Sequence, residues 1–166
     1  MKKITLLNFI ARTALLLVFS TSFGQIVTSS ADDGSAGTLR SEIANAPSGA
    51  VLTFGLGVTN ITLTSGEITI DKSLTLTGNI LSAITIDGNA NGRIFNITSG
   101  TVIINDMILT NGLADNGGAI KVVGANLTFN SSSITNSTAN GTSGSGGAVY
   151  VGTGATLTAT SSNFSG

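Results

Sequence analysis

The sequence predicts an all-β fold, a parallel β-helix (solenoid) in which short strands stack in successive rungs, and three observations predict it. First, 41% of the 166 residues are hydrophobic and 9% are charged, a composition that suits a packed core and not a disordered chain. Second, apolar and polar residues alternate over short stretches, which places one face of each strand inside. Third, the same apolar positions recur at intervals of roughly 20–30 residues.

Residues 1–24 have the pattern of a secretory signal peptide. Residues 1–3 form a basic start, residues 14–19 form an apolar core, and small residues precede a predicted cleavage site ahead of Gln25. A transmembrane helix is the poorer interpretation, because Arg12 and its polar neighbours interrupt a segment shorter than the ~20 apolar residues that cross a bilayer. The sequence therefore predicts a secreted or outer-membrane protein that this signal exports.

Cleavage of the signal changes the charge of the chain. It removes Lys2, Lys3 and Arg12, which leaves four of the seven basic residues against eight acidic ones, a net charge of −4. Because nucleic-acid binding needs clustered basic residues and aromatic platforms, the sequence predicts no nucleic-acid partner. The chain has no cysteine, so packing and hydrogen bonds must stabilise it without disulfide bonds.

Three segments align without gaps and define the repeat. They are residues 101–111 (TVIINDMILTN), 126–136 (NLTFNSSSITN) and 156–166 (TLTATSSNFSG). Their apolar positions coincide as three sets: Val102 with Leu127 and Leu157, Ile104 with Phe129 and Ala159, and Leu109 with Ile134 and Phe164. We predict that each set forms a ladder inside the β-helix, with the strands of adjacent rungs about 4.8 Å apart.

A second block follows the first in each repeat. GGAIKV at 117–122 aligns with GGAVYV at 146–151, and residues 66–72 and 92–97 carry the same pattern more loosely. Two apolar pairs are predicted to fill the first block upstream: Leu74 with Leu76, and Leu52 with Phe54. The predicted rungs are residues 50–72, 73–100, 101–125 and 126–155, with a fifth that starts at Thr156.

The polar residues between these strands indicate tight turns. Gly118 and Gly147 stand at a corner ahead of an inward-facing strand, where positive φ or close backbone contact favours glycine. Two pairs of equivalent asparagines are predicted to form stacked amide ladders: Asn105 with Asn130, and Asn111 with Asn136. A β-sandwich is the structural alternative, although a sandwich needs no repeated register.

The segment before the first rung is predicted to contain a short capping helix. Leu39, Ile43 and Ala46 recur at helical spacing, Thr38 is a suitable N-cap, and Pro47 ends the element. Such a helix would cover the open edge of the first rung, and an ordinary surface helix is the alternative. The predicted organisation is a signal peptide at 1–24, a leader and cap at 25–49, and β-helix repeats at 50–166.

These repeats resemble those of bacterial polymorphic outer-membrane proteins, whose units carry a GGAI tetrapeptide and an FxxN motif. Residues 117–120 match the tetrapeptide in full, and residues 146–149 match it with Val in place of Ile. The second motif is degenerate: Phe164 matches its aromatic residue, which Ile134 and Leu109 replace in the preceding rungs. Two further stretches are similar to parts of secreted bacterial right-handed β-helix proteins: the leader-like residues 32–43 with 50–54, and the rung-like residues 84–95.

The resemblance implies a right-handed β-helix on a surface-exposed or secreted protein, commonly an adhesin, whose expected partners are surface glycans or proteins of a host or the environment. Members reach the outside through a C-terminal membrane or sorting domain. We therefore expect this chain to be the N-terminal part of a longer protein, whose further part makes any membrane association. Phe164 occupies an inward position of an open fifth rung, and we expect that end to favour end-to-end self-association.

No catalytic, cofactor-binding or metal-binding residues are predicted. Without histidine or cysteine, acid–base catalysis would need paired carboxylates. Asp87 and Asp115 precede the glycine corner in successive rungs, but Asp-Gly and Asp-Asn-Gly are ordinary turn sequences, so turn formation is the favoured role. Asp87, Asn89 and Asn91 also match the first half of a calcium-binding loop, yet Thr98 stands where its twelfth-position Glu belongs.

An ice-binding threonine face is a further alternative. Two threonine rows are each interrupted: Thr75, Thr128 and Thr158 by Ile103, and Thr77 and Thr160 by Asn105 and Asn130. Interrupted rows favour ordinary solvated strand faces.

Taken together, the sequence favours a non-enzymatic surface β-helix that acts as an adhesin-like stalk or passenger. A polysaccharide-binding or polysaccharide-degrading β-helix is the alternative, and a purely structural spacer is the third hypothesis.

Overall fold

The computed structural model describes residues 24–79, 81–142 and 144–165, which are almost entirely β-structure with one short helix, α1 (Leu39–Asn45). The predicted signal peptide lies outside the described residues except for Gly24. The strands are, in chain order, β1 (Gln25–Val27), β2 (Ala50–Phe54), β3 (Asn60–Thr62), β4 (Ile68–Ile70), β5 (Leu74–Thr77), β6 (Ile84–Asp87), β7 (Phe95–Ile97), β8 (Thr101–Asn105), β9 (Met107–Thr110), β10 (Leu113–Ala114), β11 (Ile120–Val122), β12 (Asn126–Asn130), β13 (Ser133–Thr135), β14 (Thr138–Ala139), β15 (Val149–Val151), β16 (Thr156–Thr160) and β17 (Asn163–Ser165).

The strands form three main sheets in which every pairing is parallel. The first sheet has the order β1-β2-β5-β8-β12-β16, the second β3-β6-β9-β13-β17 and the third β4-β7-β11-β15, while β10 and β14 pair at one corner. Because neighbours in each sheet come from successive turns of the chain, the chain winds around a common interior as a β-solenoid of about 5 turns. The predicted parallel β-helix is confirmed, and the β-sandwich alternative is wrong.

The predicted register is confirmed over three consecutive rungs. All three sets of apolar residues form columns from rung to rung. In the second block, Ile120 pairs with Val149 on one side and with Phe95 on the other. Phe95 and Phe129 are the largest fully buried side chains, and the Phe129 ring centroid lies 5.6 Å from that of Phe164. Burying a side chain of this size stabilises the fold by about 1.5–3 kcal/mol, so the columns provide the main packing.

The register of the first two rungs differs from the prediction by two residues. Leu52 pairs with Leu76 and Ala50 with Leu74, so Phe54 lies beyond the end of β5. A shift of two residues keeps the same side chains facing inward, and alternation alone therefore does not determine it. Phe54 is still buried.

An additional strand precedes the first predicted rung. β1 pairs in parallel with β2, and Val27 at its end is fully buried. These residues belong to the predicted leader, because three residues are too few to show an alternating pattern in the sequence. The leader thus adds a strand to the first sheet as well as carrying the cap.

The glycine pairs ahead of the third sheet have two separate roles. The first glycine of each pair has a left-handed backbone, with φ of 66° at Gly117 and 67° at Gly146. The second approaches neighbouring backbone closely, since a Cβ on Gly118 would lie 2.5 Å from the carbonyl oxygens of Gly147 and Thr138. The predicted place of this corner is correct. The prediction gave positive φ or close backbone contact to the second glycine alone, whereas positive φ belongs to the first.

Helix α1 confirms the predicted cap. Thr38 is its N-cap, and the Thr38 hydroxyl accepts a hydrogen bond from the backbone N–H of Ser41 (3.3 Å). Leu39 and Ile43 are buried in the same core as the strands. The Lys72 ammonium donates to two carbonyl oxygens at the end of the helix, where a cation complements the helix dipole.

A buried ion pair joins the leader, the cap helix and the first rung. Asp32 pairs with Arg40 at 2.8 Å and accepts the backbone N–H groups of Thr64 and Ser65 at 2.8 and 2.9 Å. Arg40 also donates to two carbonyl oxygens of the following turn. Burial disfavours the charged form of Asp32, but the hydrogen bonds from Arg40, Ser65 and Thr64 and the charge of Arg40 together outweigh it. The pKa of Asp32 therefore lies below its ordinary value.

This ion pair predicts a pH-dependent stability. We expect Asp32→Asn to lower the free energy of unfolding near pH 7 by about 3 kcal/mol, because Arg40 then lacks its charged partner. Since the folded pKa of Asp32 is depressed, its contribution is full above the unfolded pKa of about 3.9 and is lost as pH falls through the lower folded value. Chemical denaturation followed by circular dichroism near pH 7 and near pH 3 measures both effects.

Asp71→Asn is the matched control, because Asp71 is exposed and its ion pair with Lys72 is long, at 3.8 Å. We expect this control to change the free energy of unfolding by less than about 1 kcal/mol. An Asp32→Asn variant as stable as the wild type near pH 7, or a deficit that persists unchanged in acid, would contradict the role of the pair.

The glycine corner predicts a second stability effect. We expect Gly118→Ala to lower the free energy of unfolding by about 1–3 kcal/mol, because backbone atoms block the new methyl group and must shift. Gly92→Ala is the control, since its Cβ would meet nothing closer than 3.9 Å. Thermal unfolding of both variants tests this expectation, and equal losses of stability at the two positions would refute it.

Candidate functional site

The outward face of the third sheet carries four side chains at one register position. They are, from rung to rung, Thr69, Asn96, Lys121 and Tyr150. In β4, β7 and β11 the residues on either side of this position are buried, so the middle residue faces outward. Since adjacent strands lie about 4.8 Å apart, the four side chains form a surface row, which we call the Lys121 row.

An ion-pair network borders the Lys121 row. Arg93 pairs with Glu67 of the preceding rung, and Glu67 also accepts a hydrogen bond from the Asn96 amide at 2.9 Å. Arg93 donates in addition to the carbonyl oxygens of Asn116 and Gly117 in the following rung, at 3.0 and 3.1 Å. One guanidinium thus joins three rungs, and it balances the charge of Glu67 within the protein.

Lys121 differs from the other basic residues that the structure describes. Arg40, Lys72 and Arg93 each make an ion pair and hydrogen bonds. Within residues 24–79, 81–142 and 144–165, the Lys121 ammonium and the Tyr150 hydroxyl have no hydrogen-bond partner, and Lys121 has no ion-pair partner. Both side chains are half-buried on the outward face of the sheet.

A shallow groove follows the corner between the first and second sheets. It has a volume of about 470 Å³ and crosses three rungs at Asp106, Ser131 and Ser161. These three residues form the bend, with left-handed φ values of 56°, 46° and 51°. The Ser132 hydroxyl in the wall of the groove already has a partner within the protein, because it accepts a hydrogen bond from the backbone N–H of Met107 at 3.1 Å. The groove therefore offers hydroxyl groups and one carboxylate, and its lining contains no basic side chain.

The two aspartates considered as a catalytic pair lie at different places around the rung. Asp87 ends β6 opposite Thr110, and its carboxylate accepts the backbone N–H of Asn89 at 2.7 Å and the side-chain amide of Asn111 at 3.0 Å. Asp115 directly follows β10 and lines a separate cavity of about 250 Å³. The structure does not bring the two carboxylates to one register position. The bond from Asn89 is that of a turn, and the bond from Asn111 ties Asp87 to the next rung.

The segment considered as half of a calcium loop is a tight turn. Asn89 and Ala90 have left-handed backbones, with φ of 59° and 48°, and the N–H of Asn91 bonds to the Gly88 carbonyl at 3.1 Å. Thr98 lies after β7, where its N–H bonds to the preceding rung. Among the described residues no group of three or more acidic, histidine or cysteine side chains is placed to hold a metal ion.

The polar rows of the first sheet follow the predicted register. Ile103 separates Thr75 from Thr128, which confirms the interruption of the threonine row. The amide ladder is confirmed at one of its two predicted places: the Asn130 amide donates to the Asn105 carbonyl oxygen at 3.1 Å. The second ladder is wrong, because the Asn111 amide donates to Asp87 and not to Asn136.

The Lys121 row was not identified from the sequence, although one signal for it was present. The alignment of GGAIKV with GGAVYV places Lys121 and Tyr150 at the same position of successive rungs. The sequence does not show that these two side chains face outward or that they have no internal partners, because both properties depend on the fold. The ion pair of Glu67 with Arg93 also joins two rungs in a way that sequence spacing does not show.

Comparison of the chain with protein-family models, with curated proteins and with solved structures finds no match. Among the described residues, no helix is both long enough and apolar enough to cross a membrane.

The network around Arg93 predicts different stability roles for two neighbouring basic residues. We expect Arg93→Met to lower the free energy of unfolding by about 2 kcal/mol, because hydrogen bonds to Glu67 and to two carbonyl oxygens of the next rung are lost. Lys121→Met should change it by no more than about 0.5 kcal/mol, since the ammonium has no partner within the described residues. Urea unfolding of both variants measures the difference, and a larger effect at Lys121 would contradict this assignment.

Proposed function

We propose that this protein is a non-enzymatic, secreted or outer-membrane surface protein whose β-helix acts as an adhesin-like stalk or passenger. The observation that supports this best is the continuous register of three parallel sheets over successive rungs. Each rung adds about 4.8 Å to the axis and contacts only its neighbours, so such a repeat makes a stiff rod that extends with rung number.

The surface of this rod suits contact with other molecules. Its inward positions are filled by aliphatic and aromatic side chains, while its outward rows are threonine, asparagine and serine with few charges. Three acidic residues have internal bonding roles: Asp32 with Arg40, Glu67 with Arg93, and Asp87 in its turn. These roles favour a binding or structural function over carboxylate catalysis.

Two sequence features support a surface location. The basic and apolar N-terminal segment has the pattern of an export signal, and the two GGA[IV] corners resemble the repeats of polymorphic outer-membrane proteins. The alternative of a polysaccharide-binding or polysaccharide-degrading β-helix is favoured in its binding form by the Lys121 row.

Export is the first test of this proposal. In a bacterial host with an outer membrane, we expect the full chain to appear outside the cytoplasm with a mature N-terminus at Gln25. Cell fractionation and mass spectrometry of the N-terminal peptide measure location and cleavage. Leu16→Arg is the control, because a charge in the apolar core of a signal peptide should block export. An uncleaved wild-type chain found only in the cytoplasm would refute the proposal.

A further inference from the structure

We propose that the Lys121 row binds an acidic sugar, that is, a sugar ring that carries a carboxylate. In this site the Lys121 ammonium donates a hydrogen bond to the carboxylate, and the Tyr150 ring contacts the apolar face of the sugar ring. The Asn96 carbonyl oxygen accepts a hydrogen bond from a sugar hydroxyl. The inference deepens the proposed function and rests on it, because a surface protein meets such ligands outside the cell.

The charge of the ligand follows from the state of Lys121. The predicted mature chain has a net charge of −4, and the other basic residues within its described part are tied to acidic partners. An ammonium has three donors, and those of Lys121 have no hydrogen-bond acceptor in the described residues. The acidic group of the adjoining network, Glu67, is engaged by Arg93 and Asn96. Lys121 is therefore free to form a charge-assisted hydrogen bond with an anion.

We infer a sugar ring because the site contains Tyr150, the only tyrosine of a chain without tryptophan. Tyr150 lies directly beside Lys121 in the register of β11 and β15, on the same outward face. Its ring packs over Gly152, where a Cβ would lie 3.0 Å from Tyr150 Cε1 and 2.8 Å from Val123 Cγ2. A ring supported in this way offers rigid apolar area with a hydroxyl at its edge, so little conformational entropy is lost on binding.

The spacing of the row suits one sugar unit. Lys121 and Tyr150 are on adjacent strands about 4.8 Å apart, so a carboxylate on Lys121 places the attached ring over Tyr150. On the other side of Lys121, the Asn96 amide nitrogen donates to Glu67, which fixes the side chain and leaves its carbonyl oxygen to accept. The three side chains thus offer a cation, an apolar surface and an acceptor on one rigid sheet.

A single unpaired cation favours a sugar carboxylate over the phosphate backbone of a nucleic acid. Nucleic acids need several basic residues to neutralise successive phosphates, and the third sheet presents one. Carboxylated sugars occur as uronic acids within polymers and as sialic acids at chain ends. Both have the same recognition chemistry at this site, and the experiment separates them.

The test is titration calorimetry of the full chain with four sugars. Trigalacturonic acid and 3′-sialyllactose represent the two sources, and the methyl ester of the trimer and plain lactose are their uncharged counterparts. We expect binding of one or both acids, with at least tenfold weaker binding of the uncharged counterpart, because a hydrogen bond to a charged group is lost. Equal binding of acid and ester, or no binding of either acid, overturns the inference.

Variants connect any binding to the Lys121 row. Lys121→Gln and Tyr150→Ala should each weaken binding of the preferred acid about tenfold or more, while Lys121→Arg should retain most of it. Thr128→Ala is the matched control, because Thr128 is an outward residue of β12 in the first sheet and lies outside the Lys121 row, and we expect less than twofold change. Circular dichroism and the unfolding midpoint show that each variant is folded. Unchanged binding in folded Lys121→Gln and Tyr150→Ala overturns the inference.

The result is separable from the test of export. An exported chain that binds neither acid overturns the sugar site and leaves the surface location standing. A chain that binds the acid through Lys121 and Tyr150 but stays uncleaved in the cytoplasm overturns the surface location and leaves the site standing.

Discussion

The fold depends on one constraint, which is that parallel strands of successive rungs must hydrogen-bond to one another without a change of register. Each inward side chain then lies between its own equivalents, as Leu127 does between Val102 and Leu157. Apolar side chains suit such a position best, because the neighbouring rungs exclude water above and below. The bends must also recur at the same place, which is why Asp106, Ser131 and Ser161 adopt the same left-handed conformation. Core, corners and polar rows are therefore consequences of the same alignment.

The first rung shows what this constraint requires where the repetition begins. Inside the stack, backbone groups of one rung bond to the next, but the turn at Thr64 and Ser65 bonds instead to the Asp32 carboxylate. A buried ion pair is often no more stabilising than apolar packing of the same volume. Its role here is therefore to fix the relative positions of the segments that it joins. Asp32 and Arg40 hold the leader, the cap helix and the first rung in one arrangement, and α1 covers the apolar edge beneath them.

The parts that were predictable from the sequence are those that repeat. The columns around Leu109, Ile134 and Phe164 were visible because equivalent residues have equal spacing in three segments. The two-residue shift at Leu52 was not predictable, since it leaves the same side chains on the inward face. The Asp32 interactions were also not predictable, because they join residues more than thirty positions apart without any periodic signal. The same holds for Asn111, whose amide bonds to Asp87 because the register of β6 and β9 places Asp87 opposite Thr110, next to Asn111.

The division between inward and outward positions also explains where a binding site can arise. In the third sheet the inward neighbours stay apolar from β4 to β11, whereas the outward position changes at every rung, from Thr69 to Asn96, Lys121 and Tyr150. An outward side chain does not fill the core, so its chemistry is free to differ between rungs. Because the rungs are only about 4.8 Å apart, two unlike neighbours act on the same ligand unit. A cation next to an aromatic ring is such a pair, and the regular interior makes its geometry rigid.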